Sequence, residues 1–161
     1  MTDEDERATQ WCRSSLSLEL PASDAFELFT PEGERSWAHG WAPTYHSSAP
    51  DRSSPGTVFT TEHGARVTTW VVVAREPGRR MLYARVDDLV GTVEVVLHGA
   101  SAERTTVEVE YVLTPTTAAA QHRLGGVRSR LRRLHRRLAD RDRALSLASR
   151  LRLRLTQLRS P

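Results

Sequence analysis

A chain of 161 residues, 39% of them hydrophobic, is long enough to bury the core of one domain without covalent or metal staples. Its single cysteine, Cys12, excludes an internal disulfide and any multi-cysteine zinc site. The net charge of +3 hides an asymmetry: residues 1–117 carry 10 Arg against 18 Asp and Glu, a net of −8, and residues 118–161 carry 13 Arg against 2 Asp, a net of +11. Such a split points either to a basic partner-binding segment or to a tail that docks on its own acidic body. Lys, Asn and Ile are absent, which marks a GC-rich coding sequence more than selection for guanidinium chemistry. The N-terminus MTDEDERATQ is acidic where a secretory signal would be basic and then apolar. Residues 1–10 therefore read as a flexible acidic tail, residues 11–161 as one domain, and the protein as cytoplasmic. The longest apolar run, WVVVA at 70–74, falls far short of the roughly 18 to 20 residues that span a bilayer.

Residues 13–20, RSSLSLEL, place Leu16, Leu18 and Leu20 at alternate positions, the period of a half-buried strand. PASDAFELF (21–29) predicts a helical segment with Ser23 as N-cap and Phe26, Leu28 and Phe29 turned inward. PEGERSWAHGWAPTYH (31–46) follows, with Trp37, Trp41 and Tyr45 every four residues, and then a loop over 47–56. Strands are predicted at 57–62, 65–76, 81–86, 92–99 and 105–114, separated by turns at His63-Gly64, 75–80, 87–91 and 100–104. Connections this short favour an antiparallel meander. In the last strand Val107, Val109, Tyr111 and Leu113 alternate with Glu108 and Glu110, so one sheet face is dry.

Beyond Pro115 the period changes. Leu124, Val127, Leu131, Leu134 and Leu138 step by three and four, and Leu145, Ala148, Leu151, Leu155 and Leu158 resume the stripe between arginines. This is the one long amphipathic element available to cover the dry face, so the chain reads as α+β with a C-terminal helix across a curved antiparallel sheet. As a single helix, 118–158 would run about 60 Å at 1.5 Å per residue, about twice a strand of eight to ten residues. A break at Gly125-Gly126, an overhang or a further contact is expected.

The element order, and specifically FTPEGERSWAHGWAPTY (29–45) followed by PGTVFTTEHG (55–64) and ARVTTWVVV (65–73), resembles the START-like SRPBCC superfamily, which includes the polyketide cyclase and dehydrase family. The resemblance covers roughly residues 12–115. It implies a helix-grip fold: a sheet of about seven strands wrapped around a long C-terminal helix, with a cavity for lipids, polyketides or other apolar molecules. Function does not follow from it, because such a superfold hosts carriers, cyclases, hydrolases and co-chaperone modules alike. The departure lies in the helix: residues 118–161 contain no Phe, Tyr or Trp, whereas members usually roof the cavity with aromatics.

The candidate ligand-binding residues are Trp37, Trp41, Tyr45, Phe59, Trp70 and Tyr83. Amphipathic rings suit a cavity mouth, since an indole N–H or phenol O–H holds a polar group while the ring contacts an apolar body; the competing reading is that they plug the core. Trp70 shares its face with Thr68 and Val72, and Trp37 and Trp41 would share one face of a helical turn. His39, among the tryptophans, and Tyr45 are the catalytic candidates. His39, His46 and His63 match no metal-ligand spacing, and no P-loop, G-x-S-x-G, G-x-G-x-x-G or H-E-x-x-H occurs, so no metal or cofactor is expected. Asp87-Asp88 reads as a solvated turn pair. Arg128, Arg130, Arg132, Arg133, Arg136 and Arg137 suit a solvated helix face. A membrane surface is a weaker reading, and without stacking aromatics nucleic acid is not expected. A second copy or a protein partner on this helix remains open. The leading expectation is a binding protein for a small apolar or amphipathic ligand; the alternatives are an aromatase/cyclase-like enzyme using the same cavity and an interaction module with a basic helix.

Overall fold

The computed structural model describes residues 9–47 and 50–157, with the side chains of Arg128 and of 145–157 outside that description. The predicted acidic tail thus falls outside the described residues up to position 8, and the second half of the leucine stripe, from Leu145, falls outside the described side chains. In chain order the elements are β1 (Gln10–Leu18), α1 (Ala22–Glu27), a 3-10 turn (Gly33–Ser36), β2 (Thr44–Tyr45), β3 (Val58–His63), β4 (Arg66–Glu76), β5 (Arg80–Val86), β6 (Leu89–Ser101), β7 (Arg104–Pro115) and α2 (Ala118–Gln157). The strands form one seven-stranded sheet in the order β1-β7-β6-β5-β4-β3-β2, antiparallel throughout. This is the α+β arrangement expected from the period change at Pro115.

Several boundaries move for reasons that alternation does not encode. β1 begins three residues early because Gln10 to Arg13 find ladder partners in Leu113 to Glu110 of β7. It ends at Leu18, where the next backbone N–H, that of Glu19, donates to Asp142 Oδ2 of α2 at 2.6 Å. Pro21, not Ser23, occupies the N-cap of α1, with no side-chain cap; its fixed φ suits the entry to a helix. Between β5 and β6 the turn shrinks to Asp87-Asp88. There Asp87 Oδ1 accepts the Leu89 N–H at 2.7 Å and the predicted turn residues Val90 and Gly91 join the strand.

The inward faces of β1 and β3 to β7 form one core with Phe26 and Phe29, including Leu18, Phe59, Met81 and Val107 at 0% exposure. α2 is unbroken through Gly125-Gly126, so of the three expected alternatives the break does not occur. The helix's fully buried apolar side chains join the sheet in two clusters: Leu124 seats with Leu89, Leu113 and Ala120 in a separate small cluster, and Leu138 with Ala139 joins the main core. These seats lie about 20 Å apart along the axis. Between them α2 spans the sheet without filling it.

Polar contacts fix the helix in register. Arg123 pairs with Asp88, and His135 Nδ1 lies 2.8 Å from Ser14 Oγ. His135 is 3% exposed, and burial pushes its pKa down to about 4. A histidine lowered in the folded state contributes stability that is fully present above its unfolded value near 6.5 and lost as pH falls toward 4. Chemical denaturation should therefore show a loss of up to about 3 kcal/mol across that window, at about 1.4 kcal/mol per pKa unit. His135→Gln should remove that loss. Parallel pH profiles for the two chains would refute this account.

Candidate functional site

The space that α2 leaves is a cavity of ≈ 320 Å³, at the low end of the range for small-molecule sites. Its floor is Trp70, Thr68 and Arg85 from β4 and β5, with Leu89 and Tyr111 from β6 and β7. Val127, Leu131 and Leu134 of α2 form the roof. The rings missing from the helix are thus replaced by short aliphatic side chains, which leave the volume open. His39, His63, Arg66 and Arg130, all exposed, make the rim, and Glu34, Ala38 and Trp41 close the side. A larger groove of ≈ 710 Å³ runs between β1 and α2. It is lined mainly by serines and arginines and lacks aromatic side chains, so the smaller cavity is the better ligand site.

The aromatic loop is held by its own main chain. Trp37 Nε1–H donates at 2.7 Å to the carbonyl of Leu28, the C-cap of α1, where helix acceptors lack intrahelical partners, and Trp41 Nε1–H donates to the Pro31 carbonyl of the following loop at 2.8 Å. The two tryptophans do not share a helical face, because the 3-10 turn stops at Ser36 and Gly40 takes φ +75°. Trp37 packs edge-on against Phe29, whereas Trp41 meets Trp70 at 5.5 Å and Phe59 at 6.0 Å. Gly33 allows this folding: a Cβ there would sit 1.7 Å from the Glu27 carbonyl oxygen, so only glycine lets the turn carrying Glu34 lie on the end of α1.

The six aromatic candidates therefore divide. Trp41 and Trp70 are wall, with His39 at the rim. Phe59, stacked with Trp70 at 6.3 Å and 0% exposed, is core behind that wall. Tyr83 is also core, its hydroxyl donating to the Phe29 carbonyl at 2.7 Å. Trp37 packs on the main core, and Tyr45 sits on the edge strand β2 under Arg52, 4.8 Å from the ring centroid. Neither lines the cavity. The indole N–H of Trp70 donates to Thr61 Oγ1 at 2.9 Å, so all three indole donors among the candidates are engaged within the protein.

Two groups not singled out in the sequence stand unpaired on the wall. The Glu34 carboxyl makes no hydrogen bond or ion pair with any described residue, and burial alone pushes its pKa up to about 8. Its backbone is anchored to Thr30 at 3.0 Å. The Tyr111 hydroxyl has no hydrogen-bond partner either; burial first, and then the charge of Glu34, raise its pKa. Glu34 gave no period or motif to find it by, being one acid among several in a polar turn. Asp87 is likewise no solvated turn residue. Burial works against its ionisation, but Arg85, Thr68 Oγ1 and the Leu89 N–H hold it below the usual carboxylate range. The bond between Arg85 and Asp87, 2.7 Å, leaves the guanidinium over the Trp70 ring at 5.6 Å.

No protein-family model matches the sequence, and no curated protein sequence does. Solved structures do match. Protein MLL2253 from Mesorhizobium loti shares 15% identity over 81% of this chain and 95% of its own, with a TM-score of 0.64. The Zhui aromatase/cyclase from Streptomyces sp. R1128 shares 12% over 95% and 98%, at 0.53. DynU16, a protein of the dynemicin biosynthetic locus, shares 25% over 80% of this chain but only 46% of its own, at 0.54. With seven antiparallel strands gripping a long C-terminal helix, this chain has the helix-grip fold of the START-like proteins. Among the described residues, no helix is long and apolar enough to cross a membrane.

Proposed function

We propose that this protein binds a small apolar or amphipathic molecule in the cavity between the sheet and α2. One observation carries the reading: α2 seats at Leu124 and Leu138 and holds a ≈ 320 Å³ volume open between them, walled by Trp41, Trp70, Leu131 and Leu134. A cleft of this size that is bordered by indole rings and leucines and carries a few polar groups at its rim has the form of a small-molecule site. Structural likeness to an aromatase/cyclase agrees with such a use. Native mass spectrometry of protein from its own host should reveal a co-purifying apolar mass, and an apolar dye should quench Trp41 and Trp70 on entering. Apo protein that takes up no apolar dye would overturn the reading.

A second reading, a cyclase-like enzyme using the same cavity, is favoured by Glu34. General acid catalysis needs a proton donor whose pKa lies near the working pH, and a carboxyl at about 8 inside the cavity meets that requirement. Under this reading Glu34 holds the proton; His39 stands at the exposed rim and Tyr45 lies away from the cavity.

A further inference from the structure

We propose that Glu34 and Tyr111 form a two-donor site that receives a carbonyl or enolate oxygen of the ligand. The inference deepens the cavity reading and rests on it, naming the ligand as an apolar body that carries such an oxygen.

A polar group that lines a solvent-reached cavity and has no protein partner is served by water until a ligand displaces that water, and Glu34 and Tyr111, both half-buried, are in that position. In this cavity the indole N–H groups of Trp41 and Trp70 already have partners on the Pro31 carbonyl and on Thr61. The carboxyl of Glu34 and the hydroxyl of Tyr111 have none among the described residues. They enter from different elements, Glu34 from the 3-10 turn and Tyr111 from β7, yet line one volume.

At neutral pH both groups keep their protons, because burial disfavours the charged form of each. Each is then an O–H donor beside the indole and leucine side chains of the wall, and once a ligand displaces the water a hydrogen bond there is electrostatically stronger than in water. A tyrosine beside a carboxylic acid kept neutral by its surroundings is a known way to stabilise oxygen that carries or gains negative charge. A hydrocarbon ligand would leave both donors unsatisfied at a cost of about 1–3 kcal/mol each. A ligand with one oxygen at the right place satisfies them, so the cavity discriminates in favour of it.

The test uses 2-acetylnaphthalene and its carbonyl-free counterpart 2-ethylnaphthalene, titrated against tryptophan fluorescence, together with the infrared carbonyl band of the bound ketone. The bound band should lie below its position in an alkane solvent. Glu34→Leu and Tyr111→Phe should each weaken the ketone about tenfold, corresponding to one lost hydrogen bond, and shift the band back, while 2-ethylnaphthalene, which no longer strands that donor, binds each variant more tightly. The band of the unsubstituted protein is a readout that needs no variant to fold, and Tyr111→Phe removes a single atom. An unshifted band, or equal effects on the two probes, overturns the donor pair and leaves the cavity reading standing. Failure of both probes to bind overturns both.

Discussion

In chemical denaturation across about pH 5 to 9, Glu34→Gln is expected to be more stable than the unsubstituted chain, with an advantage that grows with pH and levels off above about pH 8. The sign follows from linkage. The Glu34 carboxyl holds its proton to about 8 in the folded state against 4.5 for the ordinary value, so between those pH values the folded chain binds more protons than the unfolded one. Stability then falls as pH rises. The full shift corresponds to about 5 kcal/mol at about 1.4 kcal/mol per unit. Because the cavity admits water, a gain on the order of 3 kcal/mol above about pH 8 is expected. A flat difference between the two chains would show that Glu34 ionises normally and would remove the reason for keeping it neutral. The slope opposes that of His135, whose burial costs stability on the acid side, so stability should peak between the two. A half-buried acid that weakens the fold at neutral pH is the kind of cost that accompanies sites kept for function.

The second expected result separates wall from core. Phe59→Ala should cost about 3–5 kcal/mol, the usual range for deleting a fully buried ring. Trp41→Ala, at a half-buried ring that already borders empty volume, should cost only about 1–2 kcal/mol, because fewer packing contacts are lost. Affinity for an apolar dye should respond in the opposite order, with Trp41→Ala weakening it at least tenfold and correctly folded Phe59 variants much less. Equal stability costs would mean that Trp41 is core and that the cavity lacks this side. Thermal midpoints together with a dye titration on the same preparations decide it.

Much of the architecture was readable from the amino-acid order. Alternation in 57–62, 65–76 and 105–114 and the three-and-four stepping from Leu124 reflect backbone periods that any buried face must obey. They located β3, β4, β7 and α2 to within a few residues. The absence of rings beyond residue 118 also had a direct structural consequence, since Val127, Leu131 and Leu134 leave the space that a larger roof would fill. Of the aromatics, Trp41 and Trp70 border the cavity, while Phe59 and Tyr83 are core.

What residue order left open depends on which groups meet across long separations. Which of six aromatics borders the void depends on where α2 lifts off the sheet, and that is set by contacts such as Arg123 with Asp88 and His135 with Ser14. Asp87 looks solvated beside Asp88 until Arg85 and Thr68 close around it. Glu34 and Tyr111 lie 77 positions apart, one in a polar turn and one in a strand that reads as ordinary core. No local pattern marks either. Periodicity fixes which face of an element is dry, because that depends on neighbours three or four residues away. Whether a polar group on that face finds a partner is decided by the whole packing, and among the described residues it leaves Glu34 and Tyr111 without one in a single cavity.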